Sequence, residues 1–241
     1  MHLDSISSIR DAIKVKPPRN KIIDRGASRL ALDISKNFLE KVDTNELLEI
    51  LETALHVSGC PVTSDLQELA LGSNSLTALP MIRSPLPSLE VLSLCHNHIS
   101  TVEDCPDLKE MLPNLRELDL RNNQIGDCYP LLTTLHNHPV LRSLSFSCNP
   151  IASIRISDFP HLPVLEVLGF FGTKIEAFFE DDDFGSSDAS AFLACIAPRL
   201  PSLRHLYVKG TPLFDLYNEK TLRAAVQRCF PSLETLDGMR V

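Results

Sequence analysis

The chain has 241 residues, of which 44% are hydrophobic and 22% charged, and this composition excludes a disordered protein. The sequence contains no apolar run long enough for a transmembrane helix, and no basic segment followed by an apolar run of the kind that marks a secretory signal. The net charge of −8 is unevenly distributed, because residues 10–29 carry +5 and residues 30–241 carry −12.

The first segment, residues 1–28, is predicted to be a basic flank. Pro17 and Pro18 interrupt it and favour an extended chain. We expect this segment to cover the first edge of the domain that follows, since an open sheet edge needs protection.

Residues 29–241 carry an internal repeat of the form Leu-x-x-Leu-x-Leu-x-x-Asn-x-Leu. The pattern is complete at 66–76, 89–99, 115–125 and 141–151, apart from conservative apolar replacements. Repeats at 165–175 and 203–213 have Thr in place of Asn, a repeat at 29–39 begins with Arg29, and a half-repeat contains Leu233 and Leu236. This pattern predicts an α/β leucine-rich repeat solenoid of about seven to eight repeats, with a curved parallel sheet on its concave face and helices or turns on its convex face.

The first and sixth repeats are longer than the others and are expected to project helices or insertions from the convex face. Apolar spacing predicts a helix over 45–55 with Thr44 as its N-cap. Further helices are expected near Ala189–Ala197 and Glu219–Cys229, and a C-terminal cap near 230–238. The acidic loop at 180–183 is read as a solvated insertion or as a contact for a basic partner.

The strand residues that alternate with the buried leucines face the concave side, which is the usual binding surface of a solenoid. The candidate protein-binding residues on this face are Glu117, Asp119, Arg121, Asn122, Ser145, Phe171, His205, Tyr207 and Lys209. The face is not basic and is therefore a poor RNA groove. An open alternative places Phe171 beneath the insertion at 180–197.

No catalytic, cofactor or metal site is predicted. The sequence has no Gly-rich phosphate loop and no nucleophile motif. The two His-Asn-His tripeptides at 96–98 and 136–138 do not predict a nuclease, because Asn97 is a repeat asparagine. The spacing of Cys95, His96, His98 and Cys105 fits no zinc pattern. The seven cysteines are an odd number without a CxxC pair and are expected to be free thiols.

The C-terminal stretch resembles a known family. Residues 203–213 form the last full repeat, and the ending Phe-Pro-Ser-Leu-Glu-Thr-Leu-Asp-Gly follows at 230–238. This ending is similar to the last repeat and cap of the TAP-type nuclear mRNA export receptors. Ala31-Leu32-Asp33, at the entry to the first repeat, is also similar. Related caps occur in proteins similar to the U2 spliceosomal A-prime protein.

The resemblance implies a non-catalytic nuclear scaffold that binds export adaptor proteins and shuttles through nuclear pores. It also implies RNA contacts from the basic flank, with a solubilising flank as the alternative. The implied RNA-binding residues are Arg10, Lys14, Lys16, Arg19, Lys21 and Arg25.

The sequence also departs from that family. The receptors carry an RNA-recognition module, an NTF2-like domain and a nucleoporin-binding module, which this sequence lacks, so we expect it to be the repeat region of a larger receptor. The alternative is a general protein-interaction repeat protein of the spliceosomal or phosphatase-regulatory type with no RNA role.

Overall fold

The computed structural model describes residues 21–24, 30–55, 66–102, 106–180 and 185–241. The strands are β1 (Lys21–Asp24), β2 (Leu30–Asp33), β3 (Leu66–Ala70), β4 (Val91–Ser93), β5 (Glu117–Asp119), β6 (Ser143–Ser145), β7 (Ser153–Arg155), β8 (Val167–Gly169), β9 (Ala177–Phe179), β10 (His205–Tyr207), β11 (Thr235–Leu236) and β12 (Met239–Arg240). The helices are α1 (Thr44–Leu55), α2 (Leu108–Met111), α3 (Tyr129–Thr134), α4 (Ala189–Ile196), α5 (Pro212–Asp215) and α6 (Glu219–Cys229).

Ten of these strands form one sheet in the order β1-β2-β3-β4-β5-β6-β8-β10-β11-β12. The eight strands from β2 to β11 in this sheet run parallel, one from each repeat. Antiparallel partners close the two ends, with β1 on β2 and β12 on β11. The predicted leucine-rich repeat solenoid is confirmed.

A single row of leucines crosses all eight parallel strands in register. Their paired positions are Leu32, Leu69, Leu92, Leu118, Leu144, Leu168, Leu206 and Leu236. Every member of this row is at most 3% exposed. Because side chains alternate along a strand, the residues on either side of each leucine face the opposite, concave surface.

Buried asparagine amides join each repeat to the one before it. The Nδ2 of Asn97 donates to Leu94 O at 2.9 Å in its own repeat and to Leu71 O at 3.0 Å in the preceding repeat. Its Oδ1 accepts the Leu76 N–H at 3.1 Å. The same three-way arrangement recurs in the neighbouring repeats, at Asn74, Asn123 and Asn149. These amides satisfy backbone groups that have no strand partner where the chain leaves the sheet.

Hydroxyl groups replace the amides in the last two full repeats. Thr173 and Thr211 are almost completely buried, and both donate their hydroxyls to Phe170 O, at 2.8 and 2.7 Å. Their two Oγ1 atoms lie 3.2 Å apart. A threonine hydroxyl has one proton and short reach, so it cannot bridge two carbonyls and an N–H as an amide does.

The residue before each of these positions has a left-handed backbone. The φ angle is +56° at His96 and +58° at Cys148, and the last two repeats have glycine there, at Gly172 and Gly210. Left-handed φ angles carry a steric cost for residues with a Cβ atom, and glycine avoids it. The sheet therefore ends at the same point in every repeat.

The helices lie on the convex side, and both long repeats carry a helix as predicted. One helix start differs from the prediction. The helix predicted with Thr44 as N-cap begins at Thr44 itself, and Asp43 Oδ1 accepts the Asn45 N–H at 3.0 Å. In the sixth repeat Asp188 Oδ1 accepts the N–H groups of Ser190 and Ala191, so α4 begins there. The Gly-Cys-Pro sequence at 59–61, which favours the end of this helix, lies outside the described residues.

We predict that Asn97→Ala destabilises the fold by about 1–3 kcal/mol, because the Leu76 N–H becomes a buried donor without a partner. Chemical denaturation measures the loss. The control is Asn114→Ala, at an exposed side chain that makes one bond to Pro87 O, and it should cost less than about 0.5 kcal/mol. Equal losses in the two variants would contradict the role of the amide.

The last strands close the core at the C-terminal end. Leu233 and Leu236 are 9% and 3% exposed. Asp237 Oδ1 accepts the Val208 N–H at 2.7 Å and the Lys209 N–H at 2.9 Å, and so satisfies the strand end of the last full repeat.

Truncating Leu236 to Ala should therefore cost about 2–5 kcal/mol, as for other buried leucines. Leu216→Ala is the matched control, because that side chain is 75% exposed. Thermal or chemical unfolding of both variants measures the difference, and an unchanged melting temperature for Leu236→Ala would show that these residues do not close the core.

One buried side chain introduces a dependence on pH. His138 is fully buried, its Nε2 donates to Leu112 O at 3.0 Å, and its Nδ1 has no hydrogen-bond partner. Burial lowers the pKa of His138, and Lys109 lowers it further against opposite contributions from Leu112 O and Asp107. Protonation of Nδ1 would place an unpaired N–H and a charge in the core.

His138 therefore binds a proton at a higher pH in the unfolded chain than in the folded one. Its contribution to the free energy of unfolding is fully present above about pH 6.5 and is lost as the pH falls below that value. We predict that His138→Gln reduces the fall in unfolding free energy between pH 7.5 and pH 5. His98→Gln, at an exposed position, leaves the buried imidazole in place and should keep the wild-type pH dependence. An unchanged slope in His138→Gln would contradict this assignment.

Candidate binding surface on the concave face

Two rows of side chains cross the concave face at right angles to the strands. The first row contains Glu68, Val91, Glu117, Ser143, Val167, His205 and Thr235. The second contains Ala70, Ser93, Asp119, Ser145, Gly169 and Tyr207. Backbone bonds beyond the strands extend the alignment to a third row, which includes Cys95, Arg121, Ser147, Phe171 and Lys209.

The predicted site residues lie within this array. Glu117 and Asp119 are on β5, Ser145 is on β6, and His205 and Tyr207 are on β10. Arg121, Phe171 and Lys209 are exposed in the third row. Asn122 lies at the rim, with a φ of +55° and its Nδ2 3.5 Å from His96 Nε2. The structure brings these positions together on one face, and their role in binding stays a prediction.

Asp119 and Arg121 neutralise each other. Arg121 Nε and Nη2 donate to the two carboxylate oxygens of Asp119, each at 2.8 Å. The hydrogen bond to Asp119 raises the pKa of Arg121 further, so the guanidinium stays charged. Glu117, on the same strand, is exposed and forms no ion pair within the part of the chain that the structure describes.

The middle of the surface is a floor made of small residues. A Cβ atom on Gly169 would lie 2.6 Å from Ser145 Oγ and 2.8 Å from Ser147 Oγ, so no larger residue fits there without a shift. Ser145 donates its hydroxyl to Ser147 Oγ at 3.2 Å. Ser145 of this floor is one of the predicted binding residues, whereas Ser147 and Gly169 were not among them. The available signal was the alternation Ser143, Ser145, Ser147 in the repeat just before Gly169.

Aromatic residues border this floor on the C-terminal side. Phe171 is 44% exposed, so the alternative that it packs beneath the insertion is wrong. Phe178 takes that place instead, with its ring centroid 5.6 Å from that of Phe192. Tyr207 is half-buried on the neighbouring strand, and His205 Nδ1 lies 2.9 Å from Thr235 Oγ1.

The predicted RNA-binding residues have no described side chains. Arg10, Lys14, Lys16, Arg19 and Arg25 lie outside the described residues, and for Lys21 only the backbone is described, opposite Asp33 at the edge of the sheet. Residues 181–183 of the acidic loop also lie outside them.

The described cysteines are free thiols: Cys95, Cys128, Cys148, Cys195 and Cys229. Burial raises the pKa of Cys128 to about 12. Burial and a hydrogen bond to Glu180 raise the pKa of Cys195 to about 11, so both thiols stay protonated at neutral pH. Cys60 and Cys105 lie outside the described residues.

Neither a metal centre nor a membrane span is found in the described ranges. Within them, no group of three or more His, Cys, Asp or Glu residues is placed to hold a metal ion. No described helix is both long and apolar enough to cross a bilayer.

Comparison with known proteins agrees with the fold. A family model described as "Leucine Rich repeats (2 copies)" matches residues 87–133 and 113–163. The chain therefore contains a leucine-rich repeat domain.

Several curated proteins are similar to this chain. They include the CD180 antigen of Mus musculus, 32% identical over 61% of this chain and 24% of its own length. Tubulin-specific chaperone E of Danio rerio is 25% identical over 98% of this chain and 46% of its own length. Acidic leucine-rich nuclear phosphoprotein 32 family member A of Drosophila pseudoobscura pseudoobscura is 29% identical over 48% of this chain and 43% of its own length. The chain thus spans less than half of each of these relatives.

Two solved structures match this chain at low identity and low TM-score. An LRR protein of Leptospira interrogans is 20% identical with a TM-score of 0.46, covering 86% of this chain and 59% of that chain. The SNF/U2A' complex of Drosophila melanogaster matches at 17% identity and a TM-score of 0.45, and the match covers 90% of this chain and 88% of that chain.

Proposed function

We propose that this domain is a non-catalytic protein-binding scaffold that holds its partner on the concave face. The observation that carries the proposal is the continuous array of outward side chains, in which a floor of small residues lies between a charged strand and an aromatic border. Solenoids of this kind bind along their concave surface. Aromatic and arginine side chains are the usual energetic anchors of such interfaces.

Photo-crosslinking tests this placement. A benzoyl-phenylalanine at Ser145, on the floor, should capture a partner in cell extract that the same group at Lys220 does not, since Lys220 is exposed on α6 at the convex side. Capture from Lys220 alone would place the binding surface on the convex face and contradict the proposal.

The finer role that we propose is that of a nuclear mRNA export receptor whose repeats bind export adaptor proteins and which shuttles through nuclear pores. Its support is the resemblance of residues 203–213 and 230–238 to the TAP-type receptors. In this role the basic flank contacts RNA, because residues 10–29 carry seven bases and two acids.

A second candidate is a role in tubulin folding. The observation that favours it is the relative named tubulin-specific chaperone E, whose similarity extends over 98% of this chain. The partner on the concave face would then be tubulin. A titration of purified tubulin into the protein, compared with a titration of an export adaptor, separates the two roles.

RNA binding through the flank has a measurable salt dependence. Each phosphate contact to a single strand contributes a slope of about −0.7 to log affinity against log salt, so five or six contacts give about −4. We predict that reversing Arg10, Lys14, Lys16, Arg19 and Lys21 to Glu abolishes this binding, measured by anisotropy of a labelled single-stranded RNA.

The control for that measurement is Lys174→Glu with Lys220→Glu, which reverses two exposed bases outside the flank and should leave binding unchanged. Melting temperatures check that the variants fold. Wild-type affinity in the flank variant would show that the flank is only a solubilising segment. Absence of binding at low salt would favour a scaffold for proteins alone.

A further inference from the structure

We propose that the solenoid encloses two single water molecules, one beside Thr173 and one beside Thr211, in the place that an asparagine amide takes in the earlier repeats. Each water accepts a buried backbone N–H and donates to a buried carbonyl oxygen and to the threonine hydroxyl oxygen. The inference concerns how the last repeats are joined, and it holds whichever partner the concave face binds.

The asparagine repeats show which backbone groups the amide satisfies at an interface between repeats. The Oδ1 of Asn149 accepts the Ile125 N–H of the preceding repeat at 3.0 Å, and its Nδ2 donates to Leu120 O and Phe146 O at 2.8 Å each. Asn123 also donates to Leu120 O, at 3.0 Å, so this carbonyl accepts two amides. An interface that contains asparagine therefore leaves neither the N–H nor the carbonyl of the preceding repeat unpaired.

At Thr173 the corresponding two groups of the preceding repeat lack these partners. The threonine hydroxyl donates to Phe170 O in its own repeat, at 2.8 Å. Within the described residues, the Ile151 N–H has no hydrogen-bond acceptor, and Phe146 O accepts only the amide of Asn149. Ile151, Phe146 and Thr173 are at most 1% exposed, so bulk solvent does not reach these groups.

Thr211 leaves a similar pair of groups, although its hydroxyl bonds the other carbonyl. It donates to Phe170 O in the preceding repeat, at 2.7 Å, and not to the carbonyl of its own repeat. In the part of the chain that the structure describes, neither the Ile175 N–H nor Val208 O has a hydrogen-bond partner, and both residues are 1% exposed. The two threonine Oγ1 atoms lie 3.2 Å apart, and each gives its single proton to Phe170 O.

The size and the chemistry of these places match a single water molecule. An asparagine side chain has one heavy atom more than a threonine side chain, so each replacement frees space of about the size of a water oxygen. Buried backbone groups are rarely left unpaired, and a buried water makes about three hydrogen bonds to groups of this kind. The three partners here are an N–H donor, a carbonyl acceptor and a threonine Oγ1, whose lone pairs are still able to accept.

Nuclear Overhauser effects between amide protons and water test the proposal in the unmodified chain. An amide-detected spectrum with selective excitation of water should show cross-peaks at the Ile151 and Ile175 amides. Ile125 is the matched control in the same molecule, because its buried N–H donates to Asn149 Oδ1, and its amide should show no such cross-peak. Absence of the cross-peaks at Ile151 and Ile175 would overturn the proposal, and this result needs no variant.

Relaxation dispersion of the water oxygen nucleus measures the number of long-lived waters, and exchange of the threonine hydroxyl protons does not affect it. Thr173→Asn supplies the amide that the earlier repeats have, so it should displace the adjacent water and lower the dispersion amplitude. Lys174→Asn, an exposed change at the next residue, is the control and should leave the amplitude unchanged. An unchanged amplitude in folded Thr173→Asn would overturn the water beside Thr173.

The cross-peaks of the two variants locate each water separately. Thr173→Asn should lose the water cross-peak at Ile151 and keep the one at Ile175, whereas Thr211→Asn should lose the one at Ile175 and keep the one at Ile151. A general disturbance of the packing would not separate the two amides in this way, and melting temperatures check that both variants fold. Retention of both cross-peaks in both folded variants would overturn the proposal.

Discussion

The rest of this structure depends on the burial of amides between repeats. No repeat can bury its own leucine row, so neighbours must stack, and stacking removes from water the backbone groups where each chain segment leaves the sheet. Asn74, Asn97, Asn123 and Asn149 satisfy those groups with side-chain amides held at 2–7% exposure. An unpaired buried donor or acceptor costs about 1–3 kcal/mol. The amides therefore fix the register between strands, and that register aligns the concave rows.

The alignment of the parallel strands brings outward residues of successive repeats together on one surface. Since each parallel pair is in register, Glu117, Ser143, Val167 and His205 follow one another across four strands although they are up to 88 positions apart in the sequence. The core leucines vary little from repeat to repeat, whereas the outward positions vary freely. The surface consequently changes from a charged strand, through a floor of serine and glycine, to an aromatic border. That gradient is the basis for the proposed binding of a protein partner on the concave face.

The solenoid and its outward positions were predictable from the sequence, because the leucine period determines which face each side chain takes. Several other features of the structure could not be predicted from the sequence. The left-handed backbone falls on Lys36, Ser73, His96 and Cys148, which carry no glycine signal. The exposure of Phe171 depended on whether Phe178 would fill the space under the insertion, which is a matter of packing between distant segments. The pairing of Arg121 with Asp119 needed side-chain geometry, since the repeat pattern places both residues on one face without showing that their side chains meet.

Hydrogen–deuterium exchange of the partner-bound domain tests the central claim most directly. Binding on the concave face predicts slower exchange in β5, β6, β8 and β10 and in the turns that follow them, with α4 and α6 unchanged. Because the strand amides are already bonded within the sheet, the change should be largest at the strand ends, near Arg121, Phe171 and Lys209. Protection confined to α4 and α6, with no change along the concave rows, would contradict the account.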